Sequence, residues 1–376
     1  MSRFLISCGG TGGHVSPGIS LAEGLVARGH EVVLLISMKK VDARLVEKYP
    51  NLRFARMPGY GFGWRPDAMV RFAASQAAAF RFCMATLRNH RPDAVIGFGG
   101  FTSAPAVLAA RVLGIPVALH EANRVPGRAV RLFGRFAQRV YLPIGVHISG
   151  VGPGSVRFAG LPVRSEIVRL DPTAARRALG LDPEQKVLVV FGGSQGASAL
   201  NGWARERAET LAARDIQVVC VTGLGKGEPE TLLYRSASGR PVKALFMPFC
   251  DRVAELLSAA DIVVSRAGAG TLAELIRCVV PAILVPFPHA ASDHQRANAA
   301  FFEKQGGGIV IEQSAMAGLH LEVLDLIFND WLLRQFHANL RRMDRSNSLE
   351  IMVADLEEIA SRRTAAKPKS TEKAAA

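Results

Sequence analysis

Three glycine-rich segments each follow a short apolar run: Gly9-Gly-Thr-Gly-Gly-His14, Gly97-Phe-Gly-Gly-Phe-Thr-Ser103 and Gly192-Gly-Ser-Gln-Gly196. Glycine lets the backbone approach a ligand closely, and the N–H groups at the start of a helix favour phosphate. One such segment alone is as readily a tight turn, but their recurrence along one chain points to a phosphate-bearing ligand. None is a Walker A loop, because no Lys-Ser or Lys-Thr follows at the required spacing. The first also fails the GxGxxG dinucleotide pattern: Val15 stands where glycine or alanine is needed, and Glu31 opens the next apolar run instead of closing it. A nicotinamide-dependent enzyme is therefore disfavoured.

Side chains beside these segments could do chemistry. His14 closes the first and suits a general base, since imidazole titrates near neutrality; the competing reading is a capping or packed histidine. Ser265-Arg-Ala-Gly-Ala-Gly-Thr-Leu-Ala-Glu274 reads as a glycine turn opening a helix, with Glu274 in its first turns. There a carboxylate could accept two hydrogen bonds from a ribose diol, or simply complement the helix dipole. Asp293-His-Gln295 and Asn298 follow a proline-broken strand end, where a sugar could be read by hydrogen bonds. Arg128, Arg131, Arg135 and Arg139 recur at spacings of three and four, which predicts one basic helix face. That face is either solvated or a contact for anionic headgroups or a pyrophosphate-bearing acceptor.

The elements needed to hold these groups follow from apolar runs. Residues 3–7, 31–36, 93–96, 116–119 and 140–142 read as buried strands, with helices beginning near Pro17 and Pro105. The rhythm breaks around residues 160–164, which predicts a linker. A second array follows at 187–191, 216–221, 243–247, 262–265 and 282–285, with a helix beginning near Ala197. Near-continuous apolar strands alternating with helices mark parallel sheets. The expected fold is α/β, with two doubly wound Rossmann-like domains facing a central cleft. The expected division is 1–160, 161–361 with C-terminal helices that can cross back, and a basic disordered tail at 362–376.

The 376 residues are 49% hydrophobic and 21% charged, enough for two buried cores. Five scattered cysteines without a CxxC pair argue for a reducing compartment and against a disulfide framework or zinc site. No signal peptide is visible, and no run reaches the roughly 18 apolar residues of a membrane span. The formal charge of +14 fits nucleic acid, anionic lipid or phosphorylated small molecules. Nucleic acid is the weakest of these, because the basic residues are not interleaved with stacking aromatics.

Taken in order, GGTGGHVSPG (9–18), GFGGFTSAP (97–105), HEAN (120–123), GLPVR (160–164), GGSQGA (192–197), SRAGAGTLAE (265–274) and DHQRANA (293–299) resemble the MurG family of cell-wall glycosyltransferases. Any one string is modestly specific; the ordered set, reaching to about residue 312, is strongly so. The resemblance implies a GT-B fold with an N-terminal acceptor domain and a C-terminal UDP-sugar domain. It implies inverting transfer of N-acetylglucosamine from UDP-N-acetylglucosamine to the muramyl C4 hydroxyl of lipid I, giving lipid II, with no metal and no cofactor.

By the same resemblance Thr11, Gly12 and Gly13 line the cleft, and Asn123 reaches the donor sugar. Arg164 and Ser194 lie near the donor phosphates, and the backbone of Cys250 meets uracil. Ala269, Gly270, Thr271, Leu272, Ala273 and Glu274 hold the nucleoside, and Gln295 reads sugar hydroxyls. His14 is the expected general base, with Glu121 as second choice. Phe101 stands where the family often has tyrosine, Ala122 where glutamine is common, and Cys250 in place of an aliphatic residue. The implied location is the cytoplasmic face of the bacterial inner membrane, held peripherally through the Arg128 to Arg139 face or the stretch 64–82. The competing functions are sugar transfer to diacylglycerol and retention of a UDP-sugar without turnover.

Overall fold

A computed structural model describes residues 1–10, 12–38, 46–59, 66–193, 196–344 and 347–366. The chain divides into two compact units. The first comprises Met1–Glu121, Pro126–Pro162 and the residues from Asn347 onward; the second comprises Ala122–Val125 and Val163–Ser346.

Unit 1 is built on seven parallel strands: β1 (Arg3–Ser7), β2 (Glu31–Ile36), β3 (Arg53–Arg56), β4 (Ala94–Gly97), β5 (Val117–His120), β6 (Arg139–Leu142) and β7 (Val156–Phe158). They lie side by side as β3-β2-β1-β4-β5-β6-β7. Because successive side chains of a strand point to opposite faces, an all-apolar strand feeds two cores. Phe4 and Ile6 of β1 pack with Val15 and Ile19 of the helix Gly12–Ala27 and with Met352, Val353 and Leu356 of the helix Ser348–Ala366. Leu5 faces the other way, toward Ala79, Cys83 and Leu87 of the helix Pro66–His90 and Ala106 and Val107 of the helix Gly100–Val112.

The helix Ser348–Ala366 thus belongs to unit 1, not to the residues 163–346 that precede it in the chain. Two polar clamps fix it. Arg139 Nε donates to both oxygens of buried Asp355 at 2.8 and 2.7 Å, and the Tyr141 hydroxyl donates to the same carboxylate at 2.8 Å. Nearer the surface, Glu357 accepts from Arg28 at 3.0 Å and from His30 Nε2 at 2.9 Å, while His30 Nδ1 accepts from Ser2 N. The helix runs to Ala366, so residues 362–366 of the expected tail are helical; the rest of the tail lies outside the described residues.

Unit 2 repeats the plan with β8 (Lys186–Phe191), β9 (Ile216–Val221), β10 (Glu230–Arg235), β11 (Pro241–Met247), β12 (Ile262–Ser265), β13 (Ala282–Leu284) and β14 (Gly308–Val310). Their order is β10-β11-β9-β8-β12-β13-β14, parallel except for the antiparallel edge strand β10. Leu188 and Val190 pack under Leu200 and Trp203 of the helix Ser198–Ala212, and Val187 and Val189 under Leu272 and Leu275 of the helix Ala269–Cys278. All five cysteines are free thiols; burial pushes those of Cys83, Cys220 and Cys278 up to about 12, as suits inert packing groups.

Two helices start earlier than their prolines suggest. The first begins at Gly12 rather than near Pro17, and the second at Gly100 rather than near Pro105. Both prolines lie inside their helices, where the missing N–H forfeits one backbone bond without ending the helix.

Candidate functional site

In unit 1 the chain leaves β1 toward β2 and leaves β4 toward β5, so the order reverses between β1 and β4. Open parallel sheets take ligands beyond the carboxyl ends of their strands at such a reversal. Both glycine segments of this unit lie there, one after each strand. Thr102 Oγ1 donates to Gly9 O at 2.9 Å, which ties the segments together, and Ser103 Oγ donates to Gly99 O at 2.6 Å within the second. His14, half-buried in the first turn of its helix, rests on the second segment. A Cβ on Gly100 would stand 3.3 Å from His14 Nδ1 and 3.2 Å from Gly9 O, and Gly100 has φ +73°. Bare left-handed backbone is what leaves room for the imidazole. Phe101 lies over Gly10 and Gly59. Gly12 opens the helix and Gly13 is exposed, while Thr11 lies outside the described residues.

β5 delivers His120 and Glu121. His120 Nε2 is 3.2 Å from Gly160 O, and its ring lies against Phe98 and Tyr141. Burial pushes its pKa down to about 4, with the Gly160 carbonyl opposing, so the ring is neutral and donates from Nε2. Glu121 is buried, and its Oε2 accepts from Gly127 N at 2.6 Å.

The next residues pack with unit 2. Asn298, in the helix His294–Lys304, is buried at 3% exposure. Its Nδ2 donates to Asn123 Oδ1 at 3.0 Å and to Ala267 O at 3.1 Å, and its Oδ1 accepts from Arg124 N at 2.8 Å. Asn298, expected among sugar-reading groups, instead holds Asn123 in place.

Unit 2 reverses between β8 and β12, and two helices start there. Their N-caps are Ala197 and Gly268, neither of which supplies a side-chain cap. Among the described residues no N-cap side chain satisfies their leading N–H groups, which are the kind that bind an anion. Thr271 Oγ1 is 4.0 Å from the Cβ positions of both Gly193 and Gly268, so the two loops are adjacent. Gly196 has φ +64°, and a Cβ there would fall 2.0 Å from Thr222 O; only glycine fits. Ser194 lies outside the described residues. Lys226 Nζ reaches Gly196 O at 3.3 Å and Ser198 Oγ at 3.2 Å, placing a cation beside this helix start. Sequence reasoning missed Lys226; the signal was Gly223, Gly225 and Gly227 after β9, a fourth glycine segment.

The helix Ala269–Cys278 carries Ala269, Gly270, Thr271, Leu272, Ala273 and Glu274. Glu274 Oε1 is 3.5 Å from Arg164 NH2, and Arg164 NH1 is 3.2 Å from Glu166 Oε1. Burial raises the Glu274 pKa while Arg164 opposes the rise. Half-buried Cys250 follows β11, its thiol pKa raised by burial. Gln295 Oε1 accepts from Phe287 N at 2.9 Å, which leaves its amide N–H pair as donors. Arg266, also missed, is buried and donates to Val285 O, Pro286 O and Gln313, shaping the loop that Gln295 holds.

The basic face expected from Arg128 to Arg139 is not one helix. The helix Arg128–Phe133 passes into a 3-10 turn at Gly134–Phe136, and Arg139 opens β6, buried against Asp355. Gly134 is buried so closely against Val151 that a Cβ there would stand 2.9 Å from it.

Two Rossmann-like α/β units of this kind are the architecture of GT-B glycosyltransferases, and comparison with known proteins places the chain in that class. Residues 4–142 match the glycosyltransferase family 28 N-terminal domain and residues 187–370 its C-terminal domain. A protein of Opitutus terrae named UDP-N-acetylglucosamine–N-acetylmuramyl-(pentapeptide) pyrophosphoryl-undecaprenol N-acetylglucosamine transferase is 61% identical over 359 residues, covering 96% of this chain and 95% of that one. A protein of the same name from Geotalea uraniireducens is 34% identical over 94% of this chain and 97% of its own length. The crystal structure of Acinetobacter baumannii MurG superposes with a TM-score of 0.70 at 25% identity, covering 95% of this chain and all of that one. The chain belongs to this family, the MurG N-acetylglucosamine transferases.

Proposed function

We propose that this chain transfers N-acetylglucosamine from UDP-N-acetylglucosamine to the muramyl C4 hydroxyl of lipid I, with inversion, forming lipid II. The observation that carries the reading is the pair of uncapped helix starts at residues 198 and 269 in unit 2. Each offers N–H groups and the positive end of a dipole to a departing diphosphate. Lys226 adds a positive charge at the first of them. Glu274 accepts from the ribose, displacing part of its contact with Arg164. Asn123, held by Asn298, and the amide N–H pair of Gln295 read the sugar. The backbone at Cys250 meets the uracil, and Arg164 and Ser194 serve the phosphates.

In unit 1, Thr11, Gly12 and Gly13 line the acceptor side and His14 removes the hydroxyl proton. Glu121 is the weaker candidate for that step, because its Oε2 is already committed to Gly127 N. The test is UDP release from UDP-N-acetylglucosamine with and without a lipid I analogue. Acceptor-dependent release supports the reading. Release driven by diacylglycerol, or binding with no release, overturns it.

The acceptor is a membrane lipid, and among the described residues no helix is long and apolar enough to cross a membrane. Peripheral attachment at the cytoplasmic face follows from this reading. Arg128, Arg131 and Arg135 stand with exposed Leu132 and Phe136, and Met69 and Val70 are exposed on the helix Pro66–His90; Trp64 lies outside the described residues. Flotation with anionic vesicles should weaken with salt. Salt-independent flotation would favour apolar insertion.

A further inference from the structure

We propose that unit 1 holds a second ligand site, a pocket for a phosphate-bearing anion at the sheet edge opposite its glycine segments. A cavity of about 520 Å³ is lined by Gln138, Arg139, Ser155, Ile359, Arg362 and Arg363, among others. Gln138 and Ser155 immediately precede or open β6 and β7, and Arg139 is the first residue of β6. The cavity therefore lies at the amino ends of the parallel strands. The glycine segments follow the carboxyl ends of β1 and β4, so the proposed donor and acceptor chemistry does not use this pocket.

Its chemistry is that of an anion receptor. Three guanidinium groups line it and no carboxylate does. The acids around it are already shared: Asp355 by Arg139 and Tyr141, Glu358 by Arg362, and Asp93, which acts on Arg363, by Arg3 N. Counting Arg157, which is 3.9 Å from Asp355, four arginines face three carboxylates, Asp355, Glu358 and Asp93, an excess of one positive charge. A row of basic residues in the last turn of a helix ordinarily serves only its dipole. Here the charge does not come from the helix alone. Arg139 belongs to the sheet and is aimed by its two bonds to Asp355 and one to Gly154 O at 3.1 Å.

Neutral donors complete the set. Gln138 Oε1 accepts from Val117 N at 2.7 Å, which leaves its amide N–H pair to donate, and Ser155 supplies a hydroxyl. Forked guanidinium donors match phosphate oxygens, and Pro116 and Ile359 add an apolar wall. The volume is in the range of sites for small organic ligands and exceeds what one inorganic phosphate needs. The ligand class is a diphosphate or phosphodiester, whether on a soluble metabolite or on a lipid headgroup.

The full chain should be titrated with inorganic pyrophosphate by calorimetry, in saturating UDP so that the donor site is filled. One pyrophosphate is expected to bind. R362A/R363A should weaken it by at least about tenfold with UDP affinity unchanged, and R362K/R363K should recover part of the loss. No binding in the presence of UDP, or equal binding by R362A/R363A, overturns the site. Flotation with phosphatidylglycerol vesicles then assigns the source. Loss of flotation in R362A/R363A, with competition by pyrophosphate, identifies a headgroup; unchanged flotation alongside lost pyrophosphate binding identifies a soluble ligand.

Discussion

Arg164 and Glu274 approach to 3.5 Å within the second unit, and Glu166 shares the same guanidinium at 3.2 Å. The pair keeps a largely buried carboxylate in the position proposed for the ribose diol. Glu274→Ala should weaken UDP binding about tenfold to a hundredfold, the worth of hydrogen bonds to a charged group. Unchanged UDP affinity in calorimetry removes Glu274 from the ribose. The raised pKa adds a signature. An acid that holds its proton more tightly when folded loses stability as pH climbs from the ordinary carboxylate range through the raised folded value. Glu274→Gln should lack that decline in urea denaturation without UDP.

His14 depends on the glycines beneath it. His14→Gln should lower turnover by about a hundredfold while leaving donor affinity nearly intact, as expected for a proton acceptor. Gly100→Ala should lower turnover too, because the new Cβ would stand 3.3 Å from Nδ1 on a backbone at φ +73°. A near-normal turnover number for His14→Gln would take the base assignment away from it.

The parts of this architecture that rest on local pattern are legible from the residues. Strands such as Ile216–Val221 are near-continuous apolar runs, broken only by Gln217, because both faces are covered, and the first three glycine segments each sit between strand and helix. The parts that rest on distant partners are not. β3 and β7 begin or end in arginine or are half exposed, and three or four residues show no period. The antiparallel edge strand β10 is mostly exposed and has charged ends, so no buried apolar run marks it. Nothing local marks Asp355 as the partner of Arg139, 216 residues away, so the place of the last helix is settled by packing. The arginine spacing from Arg128 misleads for a related reason: a helical period persists in the letters past Phe133, where the chain passes into a 3-10 turn and then the strand β6. Asn298 hides in the same way, since its bonds to Asn123 and Arg124 span more than 170 residues.

Asn298 should behave as a positioning residue. Asn298→Ala leaves Asn123 Oδ1, Ala267 O and Arg124 N without this partner, each loss costing about 1–3 kcal/mol where the group stays buried. The KM for UDP-N-acetylglucosamine should rise at least about tenfold, while binding of UDP alone, which lacks the sugar, should change little. Asn298→Asp should be worse than alanine, because a carboxylate would face the oxygens of Asn123 and Ala267. Equal losses for UDP and the UDP-sugar would mean a general collapse of the second unit instead.

His120 sets an acid limit on the first unit. Its pKa falls to about 4 from the ordinary 6.5, because burial disfavours the charged ring. Between those values the unfolded chain binds a proton that the folded chain refuses. Stability from this residue is complete above about 6.5, declines as pH falls toward about 4, and is flat below it, a change of ~3 kcal/mol at most. His120→Gln cannot take up a proton, and its amide can still donate toward Gly160 O. The variant should lose less stability than the wild type between pH 7 and pH 4.5 in urea denaturation, even if it starts lower. Parallel curves for the two proteins would show that another group governs the acid limb. Since β5 carries His120 directly into Glu121 and Asn123, protonation should also disturb the sugar-reading segment, so activity should fall before global unfolding on the acid side.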